Sequence, residues 1–155
     1  MPPSLLSRLA ESGAGVVVVE GMAAVAHGAD YVTADLDVCY EPSEPGRRRV
    51  VDALRPLRPY PRGVEPGLPF VWDARTLRDT PLLTLTTSAG LVDLIPEVPG
   101  VGAYDAVRAR SVVLDVGGWR VRVLSLPALI DAKRAMDRPK DRALLVELEA
   151  LQALG

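Results

Sequence analysis

The chain is short of the residues on which several common chemistries depend. Cys39 is its only cysteine, so no intramolecular disulfide can form. His27 is its only histidine. It can serve as a general base, or as a packed or capping residue on a short Ala-rich helix. Long apolar runs are missing: the strongest, Val16 to Val19, is far too short to span a bilayer. Met1-Pro2-Pro3-Ser4 has no basic stretch followed by a long apolar one, so no signal peptide is expected and the reading is a cytoplasmic protein. No sign of charge dominates: the net charge is −2, so any RNA or DNA contact must be local. Lysine is scarce, with two lysines among eighteen basic residues. Both, Lys133 and Lys140, lie near the C-terminus, a hint that an ammonium is wanted there.

What remains is ordinary globular material. The apolar fraction is 48% and the charged fraction 25%. The 155 residues fit a single domain over 1–155, and a chain of this length buries about 68–70% of the surface it exposes when unfolded.

Patterning predicts an α/β (α+β) fold: a mixed β-sheet flanked by helices, with further helices at the C-terminus. A short amphipathic helix is expected over 4–11, with Leu5, Leu6 and Leu9 on one stripe. The β-branched run 16–20 predicts a buried strand, and the small residues 21–27 a short helix ended by Gly28. A strand over 35–41 puts Leu36, Val38 and Tyr40 on one face and Asp35, Asp37 and Cys39 on the other. A turn over 42–46 then leads into a helix over 47–57. Residues 58–81, rich in Pro and Gly, read as a long irregular segment, either functional or a rigid connector. Two hairpins follow, 82–87 with 90–95 and 111–116 with 119–124, the second turning on Gly117-Gly118. Ser125 is the expected cap of a helix to Met136, with Pro127 in its first turn, and a last helix covers about 139–154.

The chemistry concentrates in three aspartates. Asp35 and Asp37, two apart on a strand, point to one face about 6.8 Å from each other along the chain. Asp93 stands alone in the apolar run Leu91-Val92-Asp93-Leu94-Ile95. On a neighbouring strand it completes an oxygen cage for hard divalent cations. Paired ions about 3.5–4 Å apart suit two such carboxylates, and Mg²⁺ favours one or two carboxylates plus water and substrate phosphates. The competing reading is the polar face of an edge strand. Gly21 falls directly after the first strand, where backbone amides can approach a phosphate. Lys133, on the apolar stripe of its helix, either snorkels or aims its ammonium at a phosphate or at the aspartates. With Arg138 and Lys140 it would form a triphosphate clamp. Cys39 reads as a small core residue, since nearby carboxylates raise its thiol pKa. Arg47-Arg48-Arg49 reads as solvated surface or a polyanion contact.

Val19-Glu20-Gly21-Met22-Ala23-Ala24-Val25-Ala26-His27-Gly28 followed by Thr33-Ala34-Asp35-Leu36-Asp37 resembles the N-terminal signature of the polymerase-beta-like nucleotidyltransferase superfamily. The branch it most resembles is the small minimal nucleotidyltransferases, similar to abortive-infection and toxin–antitoxin nucleotidyltransferases. Val92-Asp93-Leu94 resembles the branch's third carboxylate site. The segment 124–133, from Leu124 to Lys133, together with Arg138-Pro139-Lys140-Asp141, resembles its C-terminal helical signature. The resemblance touches residues 16–154. It implies Mg²⁺ (or Mn²⁺) on Asp35, Asp37 and Asp93, the same residues being catalytic, and a nucleotide near Gly21, Met22, Thr33, Lys133, Arg138 and Lys140. The superfamily usually has Gly-Gly or Gly-Ser after its first strand; here stands Gly21-Met22, one small or hydroxyl contact fewer. Related chains often carry Arg where this one has Tyr31.

The expected activity is therefore metal-dependent transfer of a nucleoside monophosphate from an NTP to a hydroxyl on an RNA end or a protein. The alternatives are a catalytically degenerate binding module or toxin–antitoxin partner with a cognate partner protein, and a structural domain with a solvated acidic face. No membrane association is expected.

Overall fold

Residues 4–155 are described in the computed structural model; the expected lack of a leader at Met1–Pro3 lies outside them. Helix α1 (Ser4–Glu11) buries Leu5, Leu6 and Leu9 as its apolar stripe requires. Arg8 Nε donates to Ala53 O at 2.7 Å and ties α1 to a later helix. Strand β1 (Val16–Val19) is buried through Val17, Val18 and Val19, as a four-valine run flanked by neighbours on both sides must be. Helix α2 (Glu20–Ala26) starts one residue earlier than its sequence suggests. Glu20, expected at the end of the strand, instead opens the helix with φ +61.

Strand β2 (Asp35–Tyr40) buries Leu36, Val38 and Tyr40 on one face, and Cys39 is buried as well. Burial, and then the charge of Glu97, push the Cys39 thiol up to about 12, so it is an inert core residue. Helix α3 (Glu44–Leu54) replaces the expected turn over 42–46. Ser43 caps it, accepting from Gly46 N at 3.0 Å, and Pro45 is tolerated in the first turn, where an amide would lack a helical partner in any case. The α-helix stops at Leu54 and tightens into a 3₁₀ turn over Arg55–Leu57, where Pro56 offers no N–H.

The segment 58–81 is more ordered than its composition suggests. It contains a two-residue strand β3 (Tyr60–Pro61) and helix α4 (Ala74–Asp79), capped by Asp73, which accepts from Thr76 N at 2.8 Å. Pro61 fits an edge strand, where a missing amide costs no ladder bond. Trp72 Nε1 donates to Val51 O at 2.9 Å, and Phe70 packs edge-on against Tyr60, so this connector is anchored to α3.

Strands β4 (Leu83–Thr87) and β5 (Gly90–Ile95) form the first expected hairpin. A small two-stranded ribbon, β6 (Glu97–Val98) with β7 (Gly102–Ala103), and helix α5 (Tyr104–Ala109) follow. These elements, two to six residues each, are too short to declare a period. Strands β8 (Ser111–Val116) and β9 (Trp119–Leu124) form the second hairpin across Gly117-Gly118, both with positive φ. Helices α6 (Leu126–Met136) and α7 (Pro139–Leu154) close the chain. Asp137, in the left-handed region at φ +49, turns the backbone between them.

The seven-stranded sheet has the order β3-β4-β5-β2-β1-β9-β8 and is mixed. β1 runs antiparallel to β2 and parallel to β9, and β2 runs parallel to β5. The fold is thus α+β with a mixed sheet and two C-terminal helices. β1 and β2 stand in the interior of the sheet, and one contiguous apolar cluster joins them to α1, α2, α3, α6 and α7. Among the described residues no helix is long and apolar enough to cross a membrane.

Candidate functional site

The pairing of β2 with β5 builds the site. Asp37 lies directly beside Asp93, and Asp35 beside Leu91. Partners in a parallel pair face the same side of the sheet, so one register brings all three carboxylates to one face; a slip of one residue would turn Asp93 away. One oxygen from each of Asp35, Asp37 and Asp93 lies within 4.8 Å of the others. The triad expected from sequence is therefore assembled and can hold a metal ion.

The electrostatics are those of a site short of positive charge. Burial, then hydrogen bonding and repulsion from Asp93, then the charges of Glu20 and Asp35, raise the Asp37 carboxyl from its ordinary value to about 8. Asp37 Oδ1 and Asp93 Oδ1 are buried without a hydrogen-bond donor. Buried carboxylate oxygens normally find donors. Two such oxygens on adjacent strands, beside a third carboxylate, are an all-oxygen donor set that fits a hard divalent cation.

A residue that sequence reading did not single out faces this cluster. Arg62, just beyond β3, sets Nη2 2.9 Å from Asp93 Oδ1 and Nη1 3.9 Å from Asp35 Oδ2. The contact with Asp93 is an ion pair rather than an aligned hydrogen bond, and Nη2 also donates to Leu85 O at 2.9 Å. Arg62 N also donates to Thr84 O at 2.9 Å, so the pairing of the chain along β4 aims this side chain. Only that tertiary pairing carries Arg62 to the triad, and no local pattern signals it.

Two spaces open on the triad. The larger, about 450 Å³, is lined by Asp35, Asp37 and Asp93, by Glu20, Arg138 and Lys140, and by apolar residues including Leu82, Ile95, Val98 and Met136. Its size falls among ligand-binding cavities. The smaller recess, about 80 Å³, is lined by Glu20, Gly21, Thr33, Asp35, Asp37, Lys133, Lys140 and Asp141, among others. Gly21 is closely approached there: a Cβ would lie 2.7 Å from Tyr31 Cε2 and 3.2 Å from Thr33 Cβ, so a larger residue would displace the Tyr31 ring. Thr33 Oγ1 accepts from Asp35 N at 3.3 Å and pins the entry to β2. Met22 is elsewhere. It packs against the core and lines a separate apolar cleft with Leu5, Val25, Tyr31 and Val32.

The three expected phosphate-binding cations fare differently. Lys133 is buried at 4% exposure and is ion-paired to Glu20 Oε2 at 2.5 Å and to Asp141 Oδ1 at 3.3 Å. It therefore neither snorkels nor reaches the triad directly. Arg138 holds Asp141 through Nε at 2.5 Å and through its backbone amide at 3.1 Å. Lys140 carries no ion pair or hydrogen bond among the described residues, and it lines both spaces. Glu20, which knits α2 to α6 through Lys133, was legible in sequence only as an acidic residue closing an apolar run.

His27 lies outside both spaces; its Nε2 is 2.8 Å from Leu124 O and carries the proton in that bond. It is a packing residue at the end of α2. Arg47 and Arg48 bond to Pro42 O and Glu44 respectively at the exposed start of α3, on solvated surface. Comparison with protein-family models gives no match, and comparison with curated proteins gives none either.

Proposed function

We propose that the chain is a metal-dependent nucleotidyltransferase that moves a nucleoside monophosphate from an NTP to a hydroxyl of RNA or protein. The observation that carries the reading is the set of three carboxylates, Asp35, Asp37 and Asp93, with oxygens within 4.8 Å of one another and facing a cavity of about 450 Å³ that also presents Arg138 and Lys140. The resemblance in residues 16–154 to the minimal nucleotidyltransferases supports the same chemistry. Asp35, Asp37 and Asp93 would hold Mg²⁺ or Mn²⁺, which when bound lowers the pKa of the acceptor hydroxyl and stabilises charge on the departing pyrophosphate. Lys140 and Arg138, which line the same cavity, would orient the phosphates. With little covalent chemistry for the protein to supply, positioning and electrostatics would provide much of the rate. The acceptor oxygen bonds to the α-phosphorus, the bond to the β-phosphate oxygen breaks, and the hydroxyl proton passes towards Asp93 and on to solvent. The acceptor can be an RNA end or a protein side chain, in a cytoplasmic setting.

A second reading has an observation of its own. Lys133 and Arg138 are already engaged by Glu20 and Asp141, which leaves Lys140 as the one unpaired cation among the described residues lining the two spaces. A catalytically degenerate module that binds metal and nucleotide, or a toxin–antitoxin partner with a cognate protein, fits that state.

The test is to incubate the protein with each α-labelled NTP, Mg²⁺ or Mn²⁺, and total cell RNA and protein, beside Asp37→Asn. Label transferred by the wild type and lost in Asp37→Asn is the expected result, and the labelled species reports the acceptor. Equal transfer by the variant removes the metal assignment. No transfer with metal-dependent nucleotide binding favours the binding module.

A further inference from the structure

The buried Lys133 is held on one side by a partner that is itself out of place. Glu20 has φ +61, a left-handed conformation that non-glycine residues rarely adopt and that persists where the surroundings over-determine it. Its carboxylate is paired with Lys133, 2.5 Å away on α6. The other partner of Lys133, Asp141, is 1% exposed and is fixed by three bonds to Arg138. Glu20 has no second partner and its side chain is 17% exposed. Of the two carboxylates on Lys133, Glu20 is thus the exchangeable one.

The surroundings favour exchange by side-chain rotation. Glu20 lines both the recess and the larger cavity, so it borders both. Beside it, Tyr31 and Thr33 stand so near Gly21 that a side chain there would meet them. The recess beside Glu20 has about 80 Å³ of free space, which suits a phosphate group and excludes a nucleoside. Lys133 and Lys140 both face it.

We propose that Glu20 is an internal counter-anion standing in for a phosphate on Lys133, and that its displacement decides whether the site admits a metal-bound polyphosphate chain. This rests on the metal-site reading above and adds the residue that gates its anionic ligand. In the closed state the Lys133 ammonium is neutralised by Glu20. A polyphosphate that brings its own divalent cation takes both the place of the Glu20 carboxylate and its ion pair, while the nucleoside, where there is one, occupies the larger cavity.

The experiment uses the full chain and inorganic tripolyphosphate, titrated calorimetrically with and without Mn²⁺, against wild type, Glu20→Gln, Glu20→Gly and Glu97→Gln. Glu97 lines the larger cavity and makes no ion pair with Lys133, so its variant removes the same charge without freeing the ammonium. The expected result is tripolyphosphate binding about tenfold tighter in the Glu20 variants than in wild type, with Glu97→Gln within about twofold. Glu20→Gly suits a positive φ, so it supplies a folded variant should Glu20→Gln not fold. A folded Glu20 variant that binds no tighter than wild type, an equal gain in Glu97→Gln, or no tripolyphosphate binding by any of the proteins overturns the proposal. Titration of Mn²⁺ alone separates the two claims. Absence of Mn²⁺ binding in wild type removes the metal reading, whereas the metal-free tripolyphosphate comparison still decides the role of Glu20.

Discussion

Asp141 shows how one side chain can be committed by its environment. Burial opposes its charge, but the hydrogen bonds from Arg138, followed by the charge and hydrogen bond of Lys133, outweigh it and lower its carboxyl to about 2. Its folded value lies below the unfolded one of about 3.9. The stabilisation is therefore complete above pH of about 4 and is lost as pH falls through about 2. Asp141→Asn is expected to cost about 3 kcal/mol at neutral pH, because it leaves the buried Lys133 with Glu20 alone. It should also flatten the acid limb of the stability curve, which urea unfolding at a series of pH values will measure. At this same scale the aspartates could be read from sequence, since a carboxylate inside an apolar strand stands out. Arg62 and Glu20 could not: an arginine in a Pro-rich segment and an acid after four valines look like surface until the contacts are known.

At the scale of elements, the hairpins and C-terminal helices were legible because their signals are local. Gly117-Gly118 turns the β8–β9 hairpin, and Ser125 caps α6 by accepting from Ala128 N at 3.3 Å. Removing that acceptor in Ser125→Ala should cost about 1 kcal/mol, seen as a lower urea midpoint with an unchanged m-value. A loss of m-value instead would mean that α6 is more than a capped helix and that its docking onto α7 had failed. The elements that escaped sequence reading are short ones: β3, α4, β6, β7 and α5 span two to six residues each. Elements of that length are held by contacts, such as Trp72 with Val51 O and Arg62 N with Thr84 O, and not by a period of their own. The start of α3 was misplaced for a related reason. Pro45 and Gly46 suggest a turn, yet both fit a helix whose cap is Ser43.

For the molecule as a whole, the triad is a stored repulsion. The folded value of Asp37, about 8, lies above its unfolded value, so its contribution to stability is complete below about pH 4 and is lost as pH rises through about 8. The metal-free protein should lose stability across that window, and Asp37→Asn should remove the slope. A divalent cation should act in the same direction. Mn²⁺ at about 100 times its Kd is expected to raise Tm by about 5–10 °C in wild type and not in Asp37→Asn. Thermal scans at pH 5 and pH 8, with and without Mn²⁺, check both; an equal Mn²⁺ effect in the variant would place the ion elsewhere. The sequence by itself determined the α+β class, the two hairpins, the C-terminal helices and the three aspartates, because strand alternation, turn glycines, caps and misplaced charges are properties of neighbouring residues. Tertiary structure alone decided that Asp37 and Asp93 sit side by side, that Arg62 leans on them, that Met22 turns away, and that Glu20 has taken the charge of Lys133. Those facts depend on strand register and on contacts between residues as far as 113 positions apart, and no local pattern encodes such distances.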